Sequence, residues 1–293
     1  MCSSDLVGES IPNPAAYGDE GRLAIGSGFW CEVDGCVPDG ESLVRQCVYG
    51  KRYFKRVFGM DIKTAWFQDA WTHPWTYPQI LKKCGMESYM YTRPRGEGET
   101  MRWWEGPDGS RVFAYKPLVE DALPPREVVD QRLADTQARY GVHDDMILLG
   151  VGNHGGGAMR ADVERMHRIM TRRAEASGDA QPAKIAFSTP ARFVEAVLRE
   201  PHEFPVIATE LEPTLRGAYT TQCEIKRGNR QCENLLSCAE KFSAIAEWLK
   251  ARPYPRDVLF DAWKKLMLNQ FHDTISGTDV PPSVEDALRR YDD

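Results

Sequence analysis

The residues of this chain that could do chemistry are carboxylates, amides and histidines, placed where predicted strands or helices end. Asp69 directly follows the apolar run 64–67 and the glutamine after it. Its aromatic neighbours in the sequence are Trp66, Trp71 and Trp75. A carboxylate among aromatic rings suits sugar chemistry, because sugar rings stack on aromatic side chains. The same aspartate could instead only cap a turn, which is a common role of a loop carboxylate.

A second candidate is the glycine-rich segment 153–157, which begins with Asn153 and His154. Glycines let the backbone approach a ligand closely, and the string is similar to the HGGG oxyanion loop of esterases. That chemistry needs a serine nucleophile in a G-x-S-x-G string, which the sequence lacks. A tight turn between a strand and a helix is the simpler interpretation.

A third candidate is the string NQFHD at 269–273, which ends an apolar helix and contains His272 and Asp273. The helix dipole alone favours a histidine at that position. A His-Asp pair also occurs in metal-dependent phosphohydrolases, but these need further ligands on helices, and none can be assigned. The pair therefore does not identify a function by itself.

Composition argues against several classes of function. The net charge of −6 disfavours binding to nucleic acid or anionic lipid, since both need clustered positive charge. No apolar run approaches the roughly 20 residues of a membrane helix, and residues 1–10 do not read as a secretory signal. The eight cysteines form no C-x-x-C pair. We therefore expect no cysteine zinc site and predict reduced, mostly buried cysteines in a cytoplasmic protein of bacterial type.

Elements that could position these residues alternate up to about residue 205. Helices are predicted over 42–58, 78–83, 127–140, 163–174 and 190–198, and strands over 64–67, 88–92, 112–115, 146–151 and 185–187. The continuous apolar run at 146–151 is typical of a parallel strand buried on both faces. The alternation predicts an α/β fold with a parallel sheet, open or closed into a barrel. Asp69 and Asn153 would lie at C-terminal strand ends, where reactive residues gather in such folds.

After about residue 214 the sequence pattern becomes helical. One apolar stripe comprises Leu235, Ala239, Phe242, Ala246 and Leu249, and a second comprises Leu259, Trp263, Leu266 and Met267. Pro253 and Pro255 separate the two stripes. This pattern predicts a small helical bundle with short connections.

Taken together, these strings resemble glycoside hydrolase family 38, the class II α-mannosidases. The strings that carry the resemblance are WCEVD (30–34), GESLVRQ (40–46), WFQD (66–69), PQILKK (78–83), GVGNHGGG (150–157), RGAYTTQ (216–222) and NQFHD (269–273). They occur in the family's order and spacing between about residues 21 and 287. The resemblance implies an incomplete seven-stranded β/α barrel over 7–205, followed by an all-α three-helix middle domain over 214–293.

The resemblance also implies an activity, which is zinc-dependent hydrolysis of terminal α-mannosyl linkages with retention of configuration. Asp69 would be the nucleophile and a zinc ligand, and His272 a second ligand of the same ion. Asn153 occupies the acid/base position. Substrate-binding roles would fall on Arg93, His154, Asp273 and Tyr219. His73 occupies a motif position without an assigned role.

The chemistry of these residue types agrees with those roles. A retaining glycosidase needs two carboxyl groups about 5–5.5 Å apart, one as nucleophile and one as acid/base. Zinc accepts carboxylate oxygen and imidazole nitrogen, and an open position can bind sugar hydroxyls. The metal would here orient the sugar rather than activate a water.

The sequence departs from the family pattern in three respects. No His-X-Asp pair precedes Asp69, so two further zinc ligands are expected from a missing N-terminal segment that also holds the first barrel strands. The C-terminal β domains are expected to be missing too, and we expect the chain alone to be inactive and poorly stable. An amide at Asn153 cannot deliver a proton, so His154, Asp144 or Asp145 could substitute.

Two other functions stay open at this stage. A non-catalytic or degenerate sugar-binding homologue would explain Asn153 and the absent ligands. The second alternative function is that of a metal-dependent carbohydrate deacetylase on a related barrel. The expected partner is a mannose-containing oligosaccharide, with no nucleic acid and no membrane, and the sequence leaves open whether the chain forms a homo-oligomer.

Overall fold

The structure, a computed structural model, describes residues 24–93, 99–120, 124–150, 157–175, 184–211 and 215–292. Its strands are β1 (Thr64–Phe67), β2 (Ser88–Tyr91), β3 (Met101–Glu105), β4 (Arg111–Tyr115), β5 (Leu118–Glu120), β6 (Ile147–Leu149) and β7 (Val206–Ile207). Its helices are α1 (Gly40–Phe58), α2 (Tyr77–Lys83), α3 (Arg126–Tyr140), α4 (Arg160–Glu175), α5 (Pro190–Val197), a 3₁₀ helix (Arg216–Thr220), α6 (Cys223–Trp248), α7 (Arg256–Asn269), α8 (His272–Ser276) and α9 (Pro281–Asp292). The predicted α/β class is confirmed.

The main sheet has five strands in the order β1-β2-β4-β3-β7. Strands β1, β2 and β4 run parallel, and β3 runs antiparallel to β4 and parallel to β7. Strand β3 was not predicted. It pairs with β4 through a turn in which Asp108 accepts the backbone N–H of Ser110 at 3.0 Å. Strands β5 and β6 form a separate parallel pair, and closure into a seven-stranded barrel stays a prediction.

Helix α1 lies against the first part of the described chain and shows why the local predictions worked. Asp39 caps its N-terminus by accepting the backbone N–H of Ser42 at 2.7 Å, as expected for an N-cap aspartate. Gly59 ends the helix in the left-handed conformation, which glycine adopts without steric cost. A Cβ on Gly50 would lie 2.3 Å from the carbonyl oxygen of Gly28, so α1 approaches the 28–30 backbone closely.

Two apolar cores cover the two faces of the main sheet. One contains aromatic side chains from several elements, with Phe29, Phe67, Tyr77, Tyr89 and Trp104 among its members. The other contains Met90, Phe113, Tyr115, Phe193 and Phe204. Successive residues of β2 contribute to opposite cores because strand side chains alternate between faces. The sheet is therefore buried on both sides near β2 and β4.

Helices α6, α7 and α9 pack on one another. The predicted stripe of α7 is buried, with Trp263 fully inaccessible beneath the guanidinium of Arg45, 4.0 Å from its ring. The predicted stripe of α6 is not: Leu235 is 68% exposed and Phe242 is 70% exposed. This apolar stripe does not line the bundle, because α6 contacts its neighbours through the face that carries Ile225.

Three further expectations are corrected. Residues 184–189, which include the strand predicted at 185–187, form neither strand nor helix, because no described strand pairs with them. Strand β6 is half-buried rather than buried on both faces, since β5 is its one partner among the described strands. The cysteines are not mostly buried: Cys36, Cys223 and Cys238 are exposed. Among the described residues, no helix has the length and apolar character needed to cross a bilayer.

Candidate active site

Asp69 and Arg93 follow two adjacent parallel strands and meet at the same edge of the sheet. Asp69 comes two residues after the end of β1, and Arg93 two residues after the end of β2. The Arg93 guanidinium donates to one carboxylate oxygen of Asp69 through both Nε and Nη2. Neighbouring parallel strands place their C-terminal ends together, so the topology alone explains this pair.

His272 reaches the same carboxylate from the helical part of the chain. It begins α8 and is 4% exposed, and its Nε2 lies 3.6 Å from Asp69 Oδ2. The carboxylate of Asp273 lies at the same distance from this nitrogen. The other ring nitrogen, Nδ1, is 3.2 Å from the backbone carbonyl oxygen of Glu32. The structure thus brings together Asp69, Arg93, His272 and Asp273.

The hydrogen bonds of His272 fix which of its nitrogens faces the carboxylates. A carbonyl oxygen only accepts, so Nδ1 carries a proton and Nε2 faces Asp69 and Asp273. A bare lone pair beside two carboxylates is unfavourable, so Nε2 needs a proton or a cation. Burial acts to lower the pKa of His272, but its contact with Asp69 and the charges of Glu32 and Asp273 outweigh burial and raise it.

The pKa of Asp69 shifts in the opposite direction. Burial acts to raise it, but the hydrogen bonds and positive charge of His272 and Arg93 bring it below its ordinary value. The carboxylate is therefore anionic at neutral pH. It is 37% exposed, so a solvent-borne ligand can reach it.

The donors at this edge fit part of a zinc site. Two ligands of one tetrahedral zinc lie roughly 3–4 Å apart, which agrees with the 3.6 Å between Asp69 Oδ2 and His272 Nε2. A metal-binding histidine typically donates its second N–H to a carbonyl or carboxylate, as His272 does to Glu32. Within the described ranges, no cluster of three or more His, Cys, Asp or Glu side chains is arranged to hold a metal ion. Asp69 and His272 could therefore supply two ligands of a set.

The segment 30–34, which bends at residues 30 and 31 and forms a bridge at Val33, connects the sheet edge with α8. Val33 forms an antiparallel bridge with Phe271, and the carbonyl of Glu32 accepts the backbone N–H of His272 at 3.0 Å. The carboxylate of Glu32 accepts the backbone N–H groups of Asp69 and of Ala70, the latter at 2.9 Å. Burial raises the pKa of Glu32, while His272 and the two N–H groups act to lower it.

Asp34, two residues after Glu32, also accepts hydrogen bonds from the loop that follows β1. Its carboxylate is fully buried and accepts the Trp71 backbone N–H at 3.3 Å and the Thr72 hydroxyl at 2.8 Å. It also accepts the Tyr219 hydroxyl at 2.8 Å. Glu32 and Asp34 have no role predicted from the sequence. The available signal was two acids alternating on a short extended segment, which places both on one side.

The remaining predicted residues have different surroundings. Tyr219 lies in the 3₁₀ helix, and burial raises its pKa. Asp145 is occupied by an ion pair with Arg132 at 2.9 Å and by the Thr136 hydroxyl at 2.8 Å. Asp144 and Asp145 line a cavity of about 440 Å³, and Asp69 is not among the described residues lining it. Asn153 and His154 lie outside the described residues.

His73 is a buried residue that contacts the backbone of Arg93. It is 1% exposed, and its Nε2 lies 2.8 Å from the backbone carbonyl oxygen of Arg93. Its Nδ1 contacts the Tyr89 hydroxyl. Because the carbonyl accepts, Nε2 carries the proton and Nδ1 accepts from Tyr89. Burial lowers the pKa of His73 to about 4, so the imidazole is neutral and holds the Arg93 backbone in place.

Of the aromatic neighbours of Asp69, Trp71 lies at the site. Its ring is 6.3 Å from the ring of His272 in an edge-on arrangement, and it is 4% exposed. Trp66 lines the cavity beside Asp144, and Trp75 is 42% exposed with its indole N–H bonded to the Glu105 carbonyl. Of the three tryptophans expected around Asp69, Trp71 is therefore the one that lies beside His272.

Comparison with known proteins gives a consistent result over nearly the whole chain. Residues 16–210 match the family model of the glycosyl hydrolases family 38 N-terminal domain, and residues 213–293 match the alpha mannosidase middle domain. The alpha-mannosidase 2C1 of Mus musculus is 30% identical over 282 residues, which cover 93% of this chain and 26% of that protein. The alpha-mannosidase G of Dictyostelium discoideum is 30% identical and covers 92% of this chain and 25% of its own length.

Solved structures share the fold. An alpha-mannosidase from Enterococcus faecalis V583 superposes with a TM-score of 0.77 at 20% identity, covering 98% of this chain and 34% of that chain. A GH57-type branching enzyme from Pyrococcus horikoshii has a TM-score of 0.57 at 12% identity, covering 95% and 63%. The chain spans about a quarter of the length of the curated relatives it matches. By the family match, which extends over more than half of its residues, the chain belongs to glycosyl hydrolase family 38.

Proposed function

We propose that the protein containing this chain is a zinc-dependent retaining α-mannosidase that removes terminal α-mannosyl residues from oligosaccharides. The observation that carries the proposal is the Asp69 carboxylate, which lies between the Arg93 guanidinium and the His272 imidazole at an accessible sheet edge. The relatives that are 30% identical are named alpha-mannosidases, which supports the substrate class.

In this mechanism the Asp69 carboxylate attacks the anomeric carbon as the glycosidic C–O bond breaks, and the leaving oxygen takes a proton from the acid/base group. Water then attacks the covalent glycosyl-enzyme, gives a proton back to the acid/base group, and releases mannose and the free Asp69 carboxylate. Arg93 and His272 keep the carboxylate ionised and fix its orientation. Asp273 is 39% exposed beside His272 and accepts hydrogen bonds from sugar hydroxyls. A zinc ion held by Asp69 and His272 would supply Lewis-acid orientation of the sugar. The second carboxyl group of the reaction is not identified among the described residues.

The test is the Asp69→Asn substitution in the complete protein encoded by the gene. The amide removes the anionic nucleophile at constant shape, so turnover of nitrophenyl α-mannoside is expected to fall by about 10³-fold or more. Asp261→Asn is the matched control, because Asp261 is an exposed carboxylate on α7 paired with Lys264. NMR of the first product should show the α-anomer. Activity of Asp69→Asn within a few-fold of the wild type would refute the assignment.

A non-catalytic sugar-binding protein is the second candidate, because the family resemblance puts Asn153 at the acid/base position and an amide cannot protonate a leaving group. It predicts that the complete protein binds mannosides measurably by calorimetry and turns none over. Release of acetate from acetylated sugars would instead indicate a deacetylase.

A further inference from the structure

Glu32 contacts both members of the Asp69–His272 pair, although 203 positions separate the two residues. One oxygen of its carboxylate accepts the N–H groups of Asp69 and Ala70. Its backbone carbonyl accepts both the N–H and the ring Nδ1–H of His272, at 3.0 and 3.2 Å. A single residue therefore anchors the two sides of the site through four hydrogen bonds.

The loop that carries Asp69 depends on this anchor. Residues 68–70 follow β1 outside any regular element, and Ala70 is fully buried, so its backbone N–H cannot turn to water. A buried N–H that loses its acceptor is destabilising, because no water replaces the lost hydrogen bond. The loop would shift to satisfy that N–H if Glu32 lost its oxygen, and the Asp69 carboxylate would shift with it.

We infer that Glu32 is the positioning residue of this site. It fixes the backbone at Asp69 and Ala70, and it thereby sets the nucleophilic carboxylate against Arg93 and His272. Glu32 acts through the hydrogen-bond acceptor oxygen of its side chain. The inference deepens the proposed function and rests on it for its kinetic readout, whereas its structural readout is independent of any activity.

The experiment compares Glu32→Gln with Glu32→Met in the complete protein. Glutamine keeps an acceptor oxygen on a side chain of the same length, and methionine keeps the length and removes the acceptor. Glu32→Asp is a second variant without the acceptor, to be used if Glu32→Met does not fold. Its shorter side chain withdraws the carboxylate from the two N–H groups. The matched control is Glu233→Gln with Glu233→Met, because the buried Glu233 on α6 accepts the backbone N–H of Asp39, the N-cap residue of α1, at 2.8 Å.

The first readout is amide hydrogen exchange of the peptide that spans 68–71, measured by mass spectrometry. We expect Glu32→Met to speed exchange there by about tenfold, as expected for the loss of one hydrogen bond. Glu32→Gln should keep the protection of this peptide, and the Glu233 variants should leave it unchanged. Unchanged exchange in both Glu32→Met and Glu32→Asp would overturn the inference.

The second readout is the split between kcat and KM with a nitrophenyl α-mannoside. A displaced nucleophile costs about 10²-fold in rate, so Glu32→Met should lower kcat by that factor with KM within about threefold. Glu32→Gln should retain at least a third of the wild-type kcat. A Glu32→Gln kcat as low as that of Glu32→Met would overturn the inference, because the charge and not the acceptor would then matter. A wild-type protein without turnover would refute the proposed function alone, since the exchange experiment still tests Glu32.

Discussion

Lowering the pH should destabilise this fold through His73, whose imidazole is neutral and fully enclosed beside the active-site edge. It donates to the Arg93 carbonyl and accepts from the Tyr89 hydroxyl. Protonation at Nδ1 would remove that acceptor and place a charge in an apolar site. Burial lowers the pKa of His73 from 6.5 to about 4, so below pH 6.5 the unfolded chain binds a proton that the folded chain does not. Stability from this group is therefore complete above about pH 6.5 and is lost as the pH falls towards 4.

The magnitude follows from the size of the shift. A pKa difference of this size is worth at most about 3 kcal/mol, and about 2 kcal/mol of it is lost between pH 7 and about pH 4.5. His73→Gln replaces the imidazole with a side chain that donates and accepts but does not titrate. The variant should be less stable than the wild type at pH 7 and should lose about 2 kcal/mol less on acidification.

The assay is urea unfolding followed by tryptophan fluorescence at both pH values. His143→Gln is the control, because His143 is exposed and its replacement should leave the pH difference unchanged. Direct titration of His73 by NMR of isotope-labelled histidine should give a midpoint near 4. A midpoint near 6.5, or an equal loss of stability in wild type and His73→Gln, would refute this account of the buried imidazole.

Three other outcomes are expected. Arg93→Met should lower kcat/KM by about 10²-fold, because the proposed nucleophile Asp69 loses two N–H donors to one of its carboxylate oxygens. Arg111→Met, at an exposed turn pair, should have little effect, and equal effects of the two substitutions would contradict the role of Arg93. A chelator should abolish turnover, and added zinc should restore it. The His272→Ala variant should gain no activity from added zinc. Activity that survives chelation would argue against a metal-dependent mechanism. Gly50→Ala should cost about 3 kcal/mol in thermal unfolding because its Cβ meets backbone atoms, while Gly40→Ala, with open space around it, should not.

Local elements were predictable where the sequence marks both their ends. The helix predicted at 42–58 is α1 with two more residues at its start, and Gly59 stops it in the left-handed conformation. Strand β1 matches its predicted bounds because a short apolar run is followed by polar residues. These elements depend on neighbours within a few positions, so pattern reasoning finds them.

Features that depend on distant parts of the chain, such as strand pairing and the buried face of a helix, were not predictable in the same way. The strand β3 exists because β4 pairs with it over five residues, and its own string, MRWWE, shows no strict alternation. The stripe on α6 shows that one face of the helix is apolar, but the pattern does not say which face the neighbouring helices contact. Phe242 consequently stays 70% exposed, while Asn229 and Glu233 on the same helix are buried.

Of the two contacts that form the site, local pattern and topology predict one and not the other. The contact between Asp69 and Arg93 follows from topology, because β1 and β2 are adjacent parallel strands and both residues come two positions after a strand end. The contact between Asp69 and His272 follows from no local pattern. It was predicted from the resemblance to family 38 alone, since it requires α8 to reach the sheet edge from the helical part of the chain.

The physical cause of that second contact is the segment 30–34. Side chains alternate along an extended segment, so Glu32 and Asp34 project to one side and bind successive parts of the loop 69–72. The backbone of the same segment bridges Phe271 and holds His272. Two acids spaced by one apolar residue normally suggest a solvated edge strand, yet here both carboxylates are used inside the molecule as acceptors for a loop that has no sheet partners. In this chain the pair supports the loop that carries the nucleophile proposed above.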